Sequence, residues 1–116
     1  MAVKLSSSSF DHAKELINKG QYVLDKRDDW SEHQPSAAQE NEYIEKHGFD
    51  KYSLWYLGVD DEEDPDTKAR YKFPHGDFVK VHRCGVLSVE SRAAQRKYDD
   101  IATAATHLLG MLDALR

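Results

Sequence analysis

The clearest hydrophobic pattern lies near the C-terminus, where apolar side chains recur at the spacing of one helical face. Asp99 precedes this stripe as a candidate cap, and its members are Ile101, Ala104, Ala105, Leu108, Leu112 and Leu115. A second stripe predicts a long helix from Asp77 to about Arg96, with the members Phe78, Val81, His82, Gly85, Val86, Val89 and Ala93. A glycine inside a helix predicts close packing by another element. We expect the two helices to form an antiparallel hairpin.

Two further helices are predicted in the first half of the chain. Phe10 to Lys19 carries apolar residues at helical spacing, with Ser8 or Ser9 as the cap and Gly20 as the stop. Ser36 and Gln39 have the spacing of a capping box, which predicts a helix from Ser36 to His47 that ends at Gly48. Between these helices, residues 27–35 predict a loop anchored by Trp30.

Three segments rich in aromatic and β-branched residues predict strands, namely Gln21 to Lys26, Tyr52 to Val59 and Ala69 to Phe73. The last two flank an acidic loop and are expected to pair as an antiparallel hairpin. The alternation in Ala69 to Phe73 places Lys68, Arg70 and Lys72 on one face. The predicted fold class is α+β, with a small antiparallel sheet of about three strands, backed by helices and ending in the C-terminal helical hairpin.

Length and composition predict one folded domain. The chain has 116 residues, of which 40% are hydrophobic and 10% aromatic, so a single core over residues 9–116 is expected, with residues 1–8 disordered. The one cysteine, Cys84, cannot form an internal disulfide, which favours a reducing cytoplasm. The first ten residues lack the apolar core of a signal peptide, and no apolar run is long enough for a membrane span.

Charge is distributed unevenly along the chain. Residues 67–98 hold eight of the sixteen Lys and Arg residues and only two acids, Asp77 and Glu90, so this block is +6 in a chain of net charge −5. The remainder is therefore −11. A local basic surface on an acidic protein is typical of a contact site for an anion.

This block predicts a non-catalytic binding or adaptor module whose contact surface is centred on residues 68–97. Lys68, Arg70 and Lys72 would supply charge, His75 would donate a hydrogen bond and Asp77 would orient the loop as a cap. The candidate ligand-binding residues are Lys68, Arg70, Lys72, His75, Asp77, His82 and Arg83. The alternative is a nucleic-acid or phosphate-ligand binding protein, in which nearby aromatic rings stack on bases, although net acidity disfavours nucleic acid.

A small enzyme is the further alternative. Asp77 and His82 would form an acid–base pair with Cys84 nearby, provided that their side chains lie within hydrogen-bond reach. His82 and Cys84 would point about 200° apart if both belonged to a helix, which would prevent shared chelation. The acidic loop has Pro65 where an EF-hand needs glycine. We therefore expect no metal site, no cofactor and no catalytic residue.

Binding to another protein, or to a second copy of the chain, is a further possibility that the sequence offers. Gln21 to Lys26 or Ala69 to Phe73 would offer a sheet edge to a partner strand. Leu109 and Met111 lie beside the main apolar stripe of the last helix, which suits self-association through that helix.

Several short segments of the chain carry a resemblance to known sequences. WSEH at residues 30–33, ENEYIEKHGF at 40–49, TKARYKFPHGDF at 67–78, VHRCG at 81–85, SRAAQ at 91–95 and YDDI at 98–101 carry the likeness. The chain resembles a group of small uncharacterised bacterial and prophage-encoded proteins, over about Asp29 to Leu112. The resemblance implies a bacterial, cytoplasmic setting and transfers no activity, cofactor or catalytic residue.

Overall fold

The computed structural model describes residues 3–115 and combines five α-helices with five short strands. In chain order the elements are β1 (Val3–Leu5), α1 (Ser7–Asn18), β2 (Tyr22–Val23), α2 (Trp30–His33), α3 (Ala37–Ser53), β3 (Tyr56–Asp60), β4 (Tyr71–Pro74), β5 (Val81–His82), α4 (Arg83–Gln95) and α5 (Asp99–Asp113). Short 3-10 turns occupy Arg27–Asp29 and Lys68–Arg70. The α+β prediction is confirmed.

The strands form two separate sheets. β1, β3 and β4 make an antiparallel sheet with β3 in the centre, so the predicted β3–β4 hairpin is confirmed. β2 and β5 pair in parallel, with Tyr22 opposite Val81 and Val23 opposite His82. This second sheet matters for the chemistry below, because it brings the carboxyl ends of two distant strands together.

The predicted C-terminal hairpin is also confirmed. The short connection 96–98 separates α4 from α5, and Arg83 at the start of α4 pairs with Asp113 at the end of α5, at 2.9 Å between Nε and Oδ1. Their facing side chains form the main core with α1 and β3, and its fully buried members include Val86, Val89, Ile101, Leu108 and Leu112. A smaller aromatic core holds Tyr52, Trp55 and Tyr56.

The N-terminal segment is ordered where disorder was predicted. Val3–Leu5 pairs with β3, and the Leu5 amide donates to Asp100 at 2.8 Å. α1 therefore begins at Ser7, capped by Ser6, and not at Phe10. The prediction was wrong because pairing with a strand more than fifty residues away leaves no local hydrophobic signal. Met1 and Ala2, which the same prediction covered, lie outside the described residues.

Several boundaries in the middle of the chain differ from expectation. The capping box at Ser36 and Gln39 is confirmed, and Gly48 breaks the helix with a φ of 80°, but α3 resumes and continues to Ser53. The third strand thus starts at Tyr56 and not at Tyr52. The segment 27–35 is largely helical, not a loop, although Trp30 anchors it as predicted, with 6% of its surface exposed.

The long helix predicted from Asp77 begins only at Arg83. Asp77 instead closes a tight turn, because its Oδ1 accepts from the amides of Val79 and Lys80 at 3.0 and 2.7 Å. Gly85 consequently lies in the first turn of α4 and not in mid-helix. The close packing predicted there is confirmed, since a Cβ on Gly85 would lie 3.0 Å from the Trp30 ring.

Across residues 3–115, every helix is too short or too polar to span a membrane. The apolar face of α5 is buried in the core, and Leu109 is only 8% exposed. Among residues 3–115, the large apolar side chains left exposed are Leu24, Val79 and Leu115, which all lie in segments outside the helices and strands.

Candidate functional site

The seven residues predicted as one contact surface do not come together. Lys68 and Arg70 lie in a 3-10 turn and not on a strand, so they do not share a face with Lys72. Lys68 pairs with Glu40 at 3.2 Å, and Arg70 donates to the Glu63 carbonyl at 2.8 Å. In these contacts, as in the Arg83–Asp113 pair, the positive side chains are bound by groups of the protein itself. Lys72 lies beside a cavity next to α4, whereas Arg70 lines a different cavity that also contains Asp50.

His75 serves the interior and not the surface. It is fully buried, with Nε2 3.0 Å from the Leu54 carbonyl oxygen, and its Nδ1 has no hydrogen-bond partner among the described residues. Burial lowers the pKa of His75 to about 4, so the ring is neutral at physiological pH. The predicted role as a donor to a surface anion is therefore wrong.

Asp77 and His82, by contrast, lie within hydrogen-bond reach as the enzyme hypothesis required. His82 Nε2 is 2.8 Å from Asp77 Oδ2, and the ring's other nitrogen, Nδ1, is 2.6 Å from Asp25 Oδ2. Burial disfavours a charged imidazole, but the two carboxylates outweigh it and raise the pKa of His82. Hydrogen bonding to His82 helps to lower the pKa of Asp77 against the opposing effect of its burial.

The parallel pairing of β2 and β5 explains why Asp25 reaches this position. Asp25 follows β2 by two residues, Cys84 follows β5 by two, and Val23 stands opposite His82. The Cys84 amide, in the first turn of α4, donates to Asp25 Oδ1 at 2.8 Å. Free amides at a helix start favour a negative charge, so the α4 terminus is already occupied by a carboxylate of the chain itself.

Four side chains converge at this point, and we call them the Asp25 cluster: Asp25, His33, His82 and Cys84. His33, at the end of α2, places Nδ1 2.8 Å from Asp25 Oδ2 and 4.0 Å from Cys84 Sγ. One potential ligand atom from each of the four side chains lies within 4.8 Å of the others. The expected divergence of His82 and Cys84 required both residues to belong to one helix, whereas His82 has an extended backbone and α4 begins only at Arg83.

Protonation within the cluster is set by these contacts. Burial opposes ionisation of Asp25, but hydrogen bonds from Cys84, His82 and His33 dominate and lower its pKa to about 2. Burial raises the pKa of the Cys84 thiol well above its ordinary value, and the neighbouring Asp25 carboxylate raises it further. Because its pKa is raised, Cys84 is a thiol at neutral pH and not a thiolate nucleophile.

A separate cavity of about 270 Å³ opens between β4 and α4, and we call it the β4–α4 cavity. Its basic lining consists of Lys72 on β4 and Arg92 and Arg96 at the end of α4. Its aromatic lining consists of Trp30, Tyr71, Phe73 and Tyr98, and Gln34 and Ser88 add polar groups. A shallower groove continues from it past Arg27 and Ser91 and shares Trp30 and Arg92 with it.

The described part of the chain supplies no ion-pair partner to the cations of the β4–α4 cavity. Within residues 3–115, Lys72, Arg92 and Arg96 form no ion pair and no side-chain hydrogen bond, unlike Lys68, Arg70 and Arg83. Among the residues that the structure describes, no carboxylate lines the cavity. Three positive side chains around one apolar cavity attract an anion.

Backbone strain marks the wall of the same cavity. Phe73 has a φ of 64°, in the left-handed region that non-glycine residues rarely adopt. Its ring packs on Gly58, where a Cβ would come within 2.8 Å of Phe73 Cδ2, and edge-on against Tyr98 at 5.9 Å between centroids. Strain of this kind tends to occur at ligand sites, because the surrounding structure must hold it in place.

Sequence reasoning missed Asp25, His33, Arg92, Arg96 and Trp30 as site residues. Arg92 and Arg96 carried a usable signal, since residues four apart share a helix face. Asp25 and His33 carried none, because only the parallel pairing of β2 with β5 brings them to Cys84.

Comparison with known proteins adds no relative: no family model, no curated protein and no solved structure matches the chain. The geometry of the Asp25 cluster and of the β4–α4 cavity is therefore the basis for functional inference.

Proposed function

We propose that the protein is a binding module for a small anion that carries a planar ring, held in the β4–α4 cavity. The observation that carries the proposal is the convergence of Lys72, Arg92 and Arg96 on one cavity whose described lining residues include no carboxylate. Like charges gathered at one place repel each other, so a bound anion lowers the energy of the arrangement. Arginine also binds phosphate and carboxylate through two parallel hydrogen bonds.

The aromatic side chains that line the cavity indicate that the ligand also contains a planar ring. Trp30, Tyr71, Phe73 and Tyr98 surround the same space, and each can contact a planar ring by its face or edge. A volume of about 270 Å³ suits a compact group, near the lower limit of ligand pockets. A nucleoside monophosphate, or a ring carboxylate of that size, combines the two properties.

Nucleic acid remains the alternative ligand, since bases also stack on aromatic rings next to cations. A strand needs a groove that follows several nucleotides, whereas the basic residues here surround one cavity. The enzyme alternative has support from the 2.8 Å Asp77–His82 contact, but the raised pKa of Cys84 removes its nucleophile. Binding without catalysis therefore has the better support, in the cytoplasmic setting that an unpaired cysteine favours.

Titration calorimetry with adenosine monophosphate, inorganic phosphate and adenosine tests the proposal. The monophosphate should bind more tightly than either part alone, and added salt should weaken it, because charge and stacking both contribute. Fluorescence of Trp30, compared between the natural chain and Trp30→Phe, should change on binding. A mixed-sequence oligonucleotide that binds while the monophosphate does not would replace the proposal with the nucleic-acid alternative.

Adjacent residues provide a matched pair of variants. Arg96→Gln should weaken binding of the monophosphate about tenfold, the effect of losing one charge-assisted hydrogen bond of about 1.5 kcal/mol. Lys97→Gln removes the same charge one residue further on, outside the cavity lining, and should leave affinity within about twofold. Equal losses in both variants would contradict a site in this cavity.

A further inference from the structure

We propose that the Asp25 cluster is a binding site for one divalent transition-metal ion of the zinc class, held by Asp25, His33, His82 and Cys84. The proposal concerns a different place from the β4–α4 cavity. It depends on the donor atoms and on the groups that hold them, and it stands whether or not the cavity binds an anion.

The donor set is that of a tetrahedral zinc site. Imidazole nitrogen, thiolate sulfur and carboxylate oxygen are the ligands zinc takes in proteins, four at a time. One ligand atom from each of the four side chains lies within 4.8 Å of the others, and the contacts within the cluster point to His33 Nδ1, His82 Nδ1, Asp25 Oδ2 and Cys84 Sγ as the ligand atoms. Bond lengths near 2.1 Å place tetrahedral ligands about 3.4 Å apart. The observed separations of 2.6, 2.8 and 4.0 Å bracket that value, so small side-chain shifts admit an ion.

Outer contacts already orient the ligands. Asp77 Oδ2 lies 2.8 Å from His82 Nε2, so it holds the proton on that nitrogen and leaves Nδ1 directed at the cluster. A carboxylate behind a ligating histidine is a regular feature of metal sites, where it fixes the tautomer and the ring orientation. The Cys84 amide holds Asp25 Oδ1 at 2.8 Å, which leaves Oδ2 to face the ion.

Charge also balances. An ion of charge +2 would meet the Asp25 carboxylate and the Cys84 thiolate, which together carry −2, and two neutral imidazoles. Zinc ligates the thiolate form of cysteine, so binding releases the Cys84 thiol proton to solvent. Affinity should therefore fall as the pH is lowered, because protons and the ion compete for the same atoms.

Burial separates three ligands from solvent and leaves one accessible. The side chains of Asp25 and His82 are 5% and 7% exposed and Cys84 is buried, whereas 37% of His33 is exposed. His33 lies at the end of the four-residue helix α2, at the surface. An ion would enter past His33, and a change at that residue should leave the core intact.

Titration of the full-length, reduced, chelator-treated protein with cobalt(II) tests the site directly. We expect one cobalt ion per chain, with the visible bands of tetrahedral cobalt and the near-ultraviolet charge-transfer band of a cobalt–thiolate bond. Zinc should displace cobalt with the loss of both bands. Absence of a stoichiometric complex, or a complex without the thiolate band, would overturn the proposal.

Variants separate the ligands from their surroundings. His33→Gln should abolish the tetrahedral spectrum and weaken zinc binding by more than 100-fold, whereas His47→Gln, an exposed histidine on α3, should change neither. Asp77→Asn should retain the spectrum and weaken zinc binding about 10- to 100-fold, as the loss of an outer carboxylate does. Cys84→Ser should remove the thiolate band. An unchanged spectrum in His33→Gln, with its fold verified by circular dichroism, would refute the assignment.

Discussion

Gly76 shows how little room the turn between β4 and β5 leaves. It bridges to Val81, and a Cβ at this position would overlap the carbonyl oxygen of Lys80 and lie 2.6 Å from the Trp55 ring. The carbonyl belongs to the backbone of the same turn, which the Asp77 side chain holds closed. The turn cannot open without moving Asp77 away from His82.

Substitution of Gly76 by alanine should therefore lower the free energy of unfolding by about 1–3 kcal/mol, the usual effect of overpacking. Urea denaturation measures the change. Gly110 is the matched control, because it lies in α5 with no atom within 4 Å of an added Cβ. Gly110→Ala should stabilise the protein by up to about 1 kcal/mol through helix propensity, and the same sign in both variants would contradict this account.

At the level of elements, α3 depends on an exposed capping box. The Ser36 hydroxyl accepts from the Gln39 amide at 3.2 Å, and the Gln39 side chain accepts from the Ser36 amide at 2.8 Å. Ser36→Ala should destabilise the protein by about 1 kcal/mol, measured by thermal or urea unfolding. Ser8→Ala, at an exposed position within α1, should change stability by less than about 0.5 kcal/mol. A loss at Ser8 as large as at Ser36 would contradict the cap.

Elements with local signals were the ones that the sequence predicted. The capping box, the left-handed glycines Gly20 and Gly48 and the β3–β4 hairpin each involve neighbouring residues, and all are observed. The helix predicted from Asp77 failed because tertiary pairing of β5 with β2 overrides a helical pattern of apolar residues. The start of α4 at Arg83 determines the chemistry of the Asp25 cluster, since it leaves His82 on an extended backbone next to the helix that holds Cys84.

The candidate site was predictable only in part for the same reason. The sequence predicts Lys72, Asp77 and His82 as site residues; Lys72 lies at the cavity, and Asp77 and His82 contact each other. Arg70 and Lys68 were assigned a common face with Lys72 from strand alternation, which fails when the strand starts at Tyr71. Asp25 lies 59 residues from Cys84, so no local pattern connects them.

For the whole molecule, buried histidines make stability depend on pH in a defined direction. His75 has a folded pKa of about 4 against an ordinary value of 6.5, so the unfolded chain binds the extra proton between these limits. Stability is therefore fully present above pH 6.5 and is lost as the pH falls toward 4, by on the order of 3 kcal/mol. Burial also lowers the pKa of His12, which acts in the same direction.

Urea denaturation at pH values from 6.5 to 4 tests this dependence. His75→Gln removes the titrating group, so its stability should fall less steeply with acid than that of the natural chain. His82 has the opposite sign, because its raised pKa contributes stability that is lost as the pH rises above 6.5 through the folded value. Parallel curves for all chains would refute the assignment to His75.

The two-residue pairing of β2 with β5 has a consequence for how the chain acquires its shape. It joins segments whose contacts span 59 residues, as the Cys84–Asp25 bond shows, and bringing such distant segments together costs loop-closure entropy that two short strands repay only weakly. Strand pairing between segments that are distant in sequence is therefore slow to form. During synthesis on a ribosome, Asp25 and His33 emerge long before Cys84, so a nascent chain carries the two of them without their partners. The cluster is thus a marker of completed folding.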